Sequence, residues 1–96
     1  MDIDEVVERI KASSSVPVTL PDIQDFDLEF FLDDLAGYGA HVSDIEAKRE
    51  LIAWWSEDED WLDHPDEYPM WEQTLEALHI FANLEPKVEI HLPPLP

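Results

Sequence analysis

Apolar residues recur at the spacing of an α-helix in four stretches of this chain, and this periodicity restricts the fold more than any other feature of the sequence. The first stretch spans residues 2–12, where Asp2 and Glu5 have the spacing of a capping box that begins a helix. Its apolar stripe consists of Ile3, Val6, Val7 and Ile10. We therefore predict a first helix over this stretch.

Three further stripes predict helices over residues 26–36, 43–55 and 70–83. Gly37 or Gly39 can end the first of these in the left-handed conformation, and Ser43 with Glu46 forms a capping box at the start of the next. Lys48 falls inside the apolar stripe of that helix, so either its ammonium should snorkel to solvent or the packed arc should be narrower. The residues expected in the core are Leu28, Phe31, Leu32, Leu35, Ile45, Leu51, Ile52, Trp55, Trp71, Leu75, Leu78, Phe81 and Ala82.

Two short segments, residues 16–20 and 88–92, alternate apolar and polar positions as strands do. Two lone alternating segments in a small domain would pair most readily with each other, although Pro17 restricts the first to a sheet edge. The predicted fold class is mainly α: a small four-helix domain, with an α+β alternative in which these segments form a two-stranded ribbon. We expect a single acidic globular domain over residues 1–92 and a proline-rich tail over 93–96.

Acidic residues dominate the charge of the chain. Of its 96 residues 24 are Asp or Glu and 5 are Lys or Arg, which gives a net charge of -19, while 45% are hydrophobic, as in ordinary globular proteins. Such a charge repels nucleic acid and anionic membranes, so the expected partner is a basic protein or nucleoprotein complex, without direct binding to nucleic acid or membrane. The chain has no Cys, and its acidic N-terminus and lack of a long apolar run predict a cytoplasmic protein.

Aromatic and acidic residues share the outer faces of the second and third predicted helices. Phe26 and Phe30 point away from the core arc of the second helix. Trp54 lies opposite the core residues of the third, with Trp61 on the same side if that helix continues. Aromatic anchors within a charged rim are typical of protein-recognition sites. The predicted partner-binding residues are Asp25, Phe26, Glu29, Phe30, Asp33, Asp34, Glu50, Trp54, Glu57, Asp58 and Trp61.

Two other interpretations of these outward-facing rings stay open. A middle helix in a small bundle can be covered on two sides, so the rings could complete the core, and a homodimer seam would have the same composition. The spacing of the acids favours an interface with another protein. Asp25, Glu29 and Asp33 recur every four residues, which weakens a helix by like-charge repulsion. A row of carboxylates at such intervals is similar to the regularly spaced charge of a nucleic-acid backbone.

In size and composition the chain resembles the small acidic inhibitors encoded by phages and mobile elements, which include nucleic-acid mimics and some anti-CRISPR proteins. The resemblance implies an inhibitor that occludes a DNA- or RNA-binding surface, or a subunit contact, in a host nuclease or defence complex. Its compartment would be the host cytoplasm if the chain is phage-encoded. The alternatives are an antitoxin or immunity protein that neutralises a basic nuclease toxin, and an acidic adaptor domain.

Catalysis, cofactors and metals are not expected. Glu76 and His79 have the spacing of one half of a di-iron site, but the second copy that such sites need is missing. The chain has only 2 Gly, which excludes phosphate-binding loops in their usual form. In the acidic stretch around Trp61, Leu62 occupies the position of a calcium ligand. We predict a protein that is not an enzyme, with no catalytic, cofactor-binding or metal-binding residue.

Overall fold

The chain folds as a set of short helices whose apolar stripes face one another. The computed structural model describes residues 2–17, 28–57 and 59–95. Helices in this part of the chain are α1 (Ile3–Ser13), α2 (Leu28–Gly37), α3 (Ile45–Ser56), α4 (Glu59–Asp63) and α5 (Trp71–Asn83). The predicted mainly α class is confirmed. The short helix α4 is an addition to the four helices predicted from the sequence.

The first residues of α1 and α3 are held by aspartate caps. The Asp2 carboxylate accepts a hydrogen bond from the Glu5 backbone N–H at 2.9 Å, as the capping box predicts. At α3 the cap is Asp44 and not the predicted Ser43, because the Asp44 carboxylate accepts from the Ala47 N–H at 3.1 Å. The same carboxylate also accepts two hydrogen bonds from Arg9 at 2.7 and 2.8 Å, so α1 holds this cap in place.

Helix α2 ends in a tight reversal that depends on a glycine. Gly39 has a φ of 63°, the left-handed conformation that a side chain disfavours. The reversal allows the Ala40 N–H to donate to the Leu35 carbonyl at 2.8 Å and the Gly39 N–H to donate to the Ala36 carbonyl at 3.1 Å. Otherwise unpaired carbonyls of the last helical turn are thereby satisfied.

The core lies where α2 packs against α5 and α1 packs against α3. Most predicted core positions are buried, as the helical periodicity of the stripes requires; Trp55 and Trp71 are half-buried, and the side chain of Leu28 lies outside the described part of the chain. Ile45 is an exception, because it is exposed on the first turn of α3. It lies about 90° from the centre of the buried stripe when each residue advances 100°. The buried apolar residues of the helices are Val6, Val7, Ile10, Phe31, Leu32, Leu35, Ala36, Ala47, Leu51, Ile52, Trp61, Leu75, Ala77, Leu78, Phe81 and Ala82.

The ribbon alternative is not formed by the described parts of its two segments. Residues 88–92 lie outside any helix or strand, and residues 18–20 lie outside the described residues. The chain after α1 instead meets the chain before α3, through one antiparallel bridge between Ser14 and Val42. Residues 88–92 pack as a single segment on the core: Val88 is buried, and Ile90 and Leu92 are partly buried. Their alternating pattern therefore reflects one-sided burial and not strand pairing.

Lys48 is buried inside the apolar stripe of α3, so both predicted alternatives, an ammonium that snorkels to solvent and a packed arc too narrow to include it, are wrong. Its ammonium donates to the Leu84 carbonyl at 2.6 Å and to the Pro86 carbonyl at 2.5 Å, and it lies 5.0 Å from the centre of the Phe81 ring. Burial lowers the pKa of this lysine, an effect that the nearby Glu85 carboxylate opposes. These hydrogen bonds hold the chain that follows α5 against α3.

Candidate partner-binding surfaces

The outer face of α3 presents a tryptophan between two carboxylates. Trp54 is 50% exposed, and Glu50 and Glu57, one turn before and one turn after it, are exposed as well. This placement follows from the helix phase, because Lys48, Leu51 and their neighbours direct the opposite side of α3 into the core. We call Glu50, Trp54 and Glu57 the α3 face. It places an exposed aromatic ring between exposed carboxylates, and its role as a binding anchor stays a prediction.

Helix α2 carries a second arrangement of the same kind. Phe30 is 58% exposed, and Asp33 and Asp34 follow it by one helical turn. Asp33 is half-buried and accepts a hydrogen bond from the Gln73 side chain of α5 at 3.3 Å, while Asp34 is exposed. Each arrangement is local to one helix, and the two resemble each other in composition.

Several predicted site residues fall outside the described part of the chain. They are Asp25, Phe26 and Asp58; Glu29 lies in α2, and only its backbone belongs to the description. The predicted row of carboxylates formed by Asp25, Glu29 and Asp33 therefore stays a prediction. Of the three, Asp33 has its side chain in the described part of the chain.

Trp61 is not an outer anchor, and the prediction that placed it beside Trp54 is wrong. It is 4% exposed, and its indole N–H donates to the Trp55 carbonyl at 2.8 Å. Its ring meets the Trp55 ring edge-on, with 6.2 Å between centroids and 86° between planes. The physical reason is that α3 ends at Ser56 and a new helix begins at Glu59. The phase that links Trp54 to Trp61 is lost between these helices, and Trp61 packs into the core.

A pocket between α4 and α5 was not predicted from the sequence. It has a volume of about 530 Å³, and we call it the 65–72 pocket; its lining residues are Pro65, Asp66, Tyr68, Pro69, Trp71 and Glu72. Two turns shape it: the Glu67 N–H donates to the His64 carbonyl, and the Trp71 N–H donates to the Tyr68 carbonyl, both at 3.0 Å. The available signal was the alternation of prolines, aromatics and acids in this stretch, which has no helical or strand period.

The basic residues of the chain lie away from these acidic surfaces. Arg9 pairs with Asp44 at 2.7 Å and approaches Glu46 at 3.5 Å, and Lys11 approaches Glu8 at 3.7 Å. The hydrogen bonds from Arg9, and then the one from the Ala47 N–H, lower the pKa of Asp44. These pairs combine charges of opposite sign on α1 and at the start of α3.

The two remaining exposed cations share a groove on another side of α3. Arg49 and Lys87 line it together with His91, and its volume is about 560 Å³. Arg49 lies about 140° around the helix from Trp54 at 100° per residue. The whole stretch between Glu50 and Pro86 contains no Lys or Arg. The α3 face and the 65–72 pocket are therefore locally anionic.

Within the described ranges, no helix combines the length and apolar character needed to cross a bilayer. The same ranges contain no group of three or more His, Asp or Glu side chains placed to hold a metal ion. Neither a protein-family model, nor a curated protein, nor a solved structure matches this chain.

Proposed function

We propose that this protein is an acidic, non-catalytic inhibitor that acts in the cytoplasm. It binds a basic, nucleic-acid-handling protein or complex and covers the nucleic-acid-binding surface of that partner. The observation that carries the proposal is the α3 face, where a half-exposed tryptophan stands between two exposed carboxylates. An indole supplies much of the binding energy in protein interfaces when it enters a pocket of the partner. The carboxylates at its sides select a partner with a cationic surface.

The charge of the whole chain supports the same conclusion. At a net charge of -19 the protein attracts a basic partner over distances of roughly one Debye length, about 8 Å at physiological salt. Exposed carboxylates recur four residues apart on α5, at Glu72 and Glu76, and on α3, at Glu50 and at Glu46, which Arg9 approaches at 3.5 Å. On a rigid helix such groups lie about 5–6 Å apart, which is close to the spacing of phosphates along one nucleic-acid strand. The protein would therefore compete with nucleic acid for a phosphate-binding groove.

The α3 face also gives the proposed mechanism its order of events. The carboxylates would direct the encounter and determine its salt dependence, because their contribution is a long-range electrostatic one. Trp54 would then be buried, which slows dissociation. No step in this mechanism changes a covalent bond, in agreement with the absence of a catalytic motif from the sequence.

Affinity capture from a lysate of the natural host tests the proposal. Immobilised wild-type protein should retain a basic nucleic-acid-binding complex, and the retained complex should lose nucleic-acid binding when the protein is added. Glu50→Lys with Glu57→Lys should abolish capture. The matched control is Glu5→Lys with Glu89→Lys, which changes the net charge equally at exposed positions on α1 and after α5 and should retain most of the binding.

The outcome also separates the proposed inhibitor from its alternatives. Retention of a nuclease toxin would identify the protein as an antitoxin or immunity protein. Complex formation that is insensitive to added salt would contradict occlusion by charge and would favour an acidic adaptor. Equal loss of capture in the two double variants would mean that net charge matters and that the α3 face does not.

A further inference from the structure

The 65–72 pocket combines three properties of a site for a planar cation. Its walls include two aromatic rings, those of Tyr68 and Trp71, and its rim carries the carboxylates of Asp66 and Glu72. Aromatic faces attract cations through the ring quadrupole, and carboxylates attract them through charge. Its volume of about 530 Å³ is within the range of pockets that admit a whole side chain or small ligand, about 300–1,000 Å³.

The walls of the pocket are held in place before any ligand arrives. Pro65 and Pro69 fix the backbone φ angle at two points of the lining. The half-buried Trp71 packs against the core, and its indole N–H donates to the Leu62 carbonyl at 3.3 Å. Tyr68 is 37% exposed, so part of its ring is open to a ligand. A preformed pocket loses little conformational entropy when it binds.

The carboxylates of the rim are not neutralised by cations from the described residues of the chain. In this turn the His64 imidazole contacts the Glu67 carboxylate at 3.9 Å, and this contact does not include Asp66 or Glu72. The nearest Lys and Arg along the sequence are Arg49 and Lys87. They line the groove beside residues 87–91 and not this pocket. The missing positive charge is therefore one that a partner can supply.

We propose that the 65–72 pocket receives an arginine side chain of the basic partner. This inference rests on the proposed function, since it names the group by which that partner is recognised at a second surface. Arginine suits the pocket better than lysine, because its planar guanidinium stacks on an aromatic ring and still donates hydrogen bonds in its own plane to a carboxylate. The Tyr68 and Trp71 rings would provide the stacking surface, and Asp66 and Glu72 would accept the hydrogen bonds.

The first experiment uses a blocked tripeptide, acetyl-Gly-Arg-Gly-amide, and follows the indole N–H resonance of Trp71 by NMR. The arginine peptide should shift this resonance in a saturable way. Peptides with citrulline or lysine in place of arginine are the controls, and both should bind more weakly. Binding of the citrulline peptide as tight as that of the arginine peptide would overturn a role for charge. Equal or tighter binding of the lysine peptide would overturn the assignment to a guanidinium.

Variants then locate the binding. Glu72→Gln and Tyr68→Leu should each weaken the arginine peptide about two- to fivefold, as expected for one exposed ion pair and one exposed cation–π contact. Glu76→Gln is the matched control, because it removes an exposed carboxylate of the same helix one turn further on and should leave the affinity unchanged. If Glu72→Gln and Glu76→Gln had the same effect, the peptide would be attracted by net charge alone and the proposal would fail.

The failure of this inference can be distinguished from the failure of the proposed function. If the tripeptide does not bind in the pocket but the α3 face still captures a basic complex, the proposed function stands and the pocket assignment is overturned. Tripeptide binding that Tyr68→Leu weakens would support the pocket even if no inhibitory target is captured. Unfolding is excluded as a cause by comparing the amide spectra of each variant and the wild type.

Discussion

The inner and outer sides of α3 carry similar residues and use them in opposite ways. On the outer side, Trp54 is half-exposed between exposed carboxylates, and on another exposed side Arg49 faces a surface groove. On the inner side, Lys48 is buried against the chain after α5, and the carbonyl of Trp55 accepts a hydrogen bond from the buried Trp61. The comparison teaches that residue type alone does not indicate which tryptophan or which cation belongs to an interface.

The difference lies in how Lys48, Trp61 and Trp54 satisfy their polar groups, whereas the buried indole N–H of Trp55 has no hydrogen-bond partner among the described residues. Lys48 and Trp61 are buried with hydrogen-bond partners for the ammonium and the indole N–H, so their burial avoids the penalty of unsatisfied polar groups. Trp54 and Glu50 face water, which satisfies such groups without a protein partner. The inner side therefore stabilises the fold, and the outer side is available for binding.

The largest effect on the free energy of unfolding is expected when Trp61 is replaced, and Trp54 is its direct comparison. Trp61→Ala should lower the free energy of unfolding by about 3–5 kcal/mol, because it removes a buried ring and leaves a cavity. Trp54→Ala should change it by less than about 1 kcal/mol, because half of that ring is already in water. Urea denaturation followed by circular dichroism measures both. Equal losses would show that Trp54 is part of the core and would remove the basis of the α3 face.

Replacing Lys48 should lower the free energy of unfolding more than replacing its neighbour Arg49. Lys48→Met keeps the side-chain length but leaves the Leu84 and Pro86 carbonyls without their donor, so it should destabilise the protein by about 1–3 kcal/mol. Arg49→Met, at an exposed position, should stay within about 0.5 kcal/mol of the wild type. Denaturation midpoints in urea provide the comparison. If Lys48→Met left the free energy of unfolding unchanged, the buried ammonium would contribute no net stability.

A pH-dependent effect is expected at Asp44, where α1 meets the start of α3. The folded protein lowers the pKa of Asp44 below its ordinary 3.8, chiefly through the hydrogen bonds from Arg9. The unfolded chain therefore binds more protons near this pH, and the stabilisation is present above it and is lost as pH falls through the lower folded pKa. Asp44→Asn keeps a side chain that can cap the helix but removes this titration.

Unfolding free energies measured from pH 5 downwards test this expectation. The stability that distinguishes the wild type from Asp44→Asn should shrink as Asp44 becomes protonated in the folded protein. A constant difference between the two proteins across this interval would contradict the assignment. Both proteins should be measured at the same ionic strength, because the remaining carboxylates also titrate in acid.

The smallest effect on the free energy of unfolding is expected for a substitution of Glu50, on the outer side of α3. Glu46 and Glu50 are spaced four residues apart, so Glu50→Gln should stabilise the protein at low salt through relief of like-charge repulsion, by at most about 0.2–0.5 kcal/mol because Arg9 already lies 3.5 Å from Glu46. The gain should disappear near 1 M salt, where the Debye length falls to about 3 Å. Urea denaturation at both salt concentrations is the measurement. A loss of stability instead would show that Glu50 has a structural partner and is not held for binding.

The sequence predicted the helices because their determinants are local. Apolar positions three and four residues apart specify the buried face of a helix, and Asp2 and Gly39 mark where one helix begins and another ends. The same periodicity correctly placed Phe30 and Trp54 on exposed faces. The anionic character of the surface was equally available, since it follows from composition.

The tertiary structure decided what depends on residues distant in the sequence. Lys48 is buried because carbonyls 36 and 38 positions later accept its hydrogen bonds, and no local pattern contains that information. Trp61 is buried because the chain breaks its helix after Ser56 and begins another. The 65–72 pocket is a different case, because its lining is one continuous stretch with two local turns, but this stretch has no helical or strand period from which the pocket could be predicted. Helical phase is a property of consecutive residues, whereas the burial of a side chain requires the packing of the whole chain.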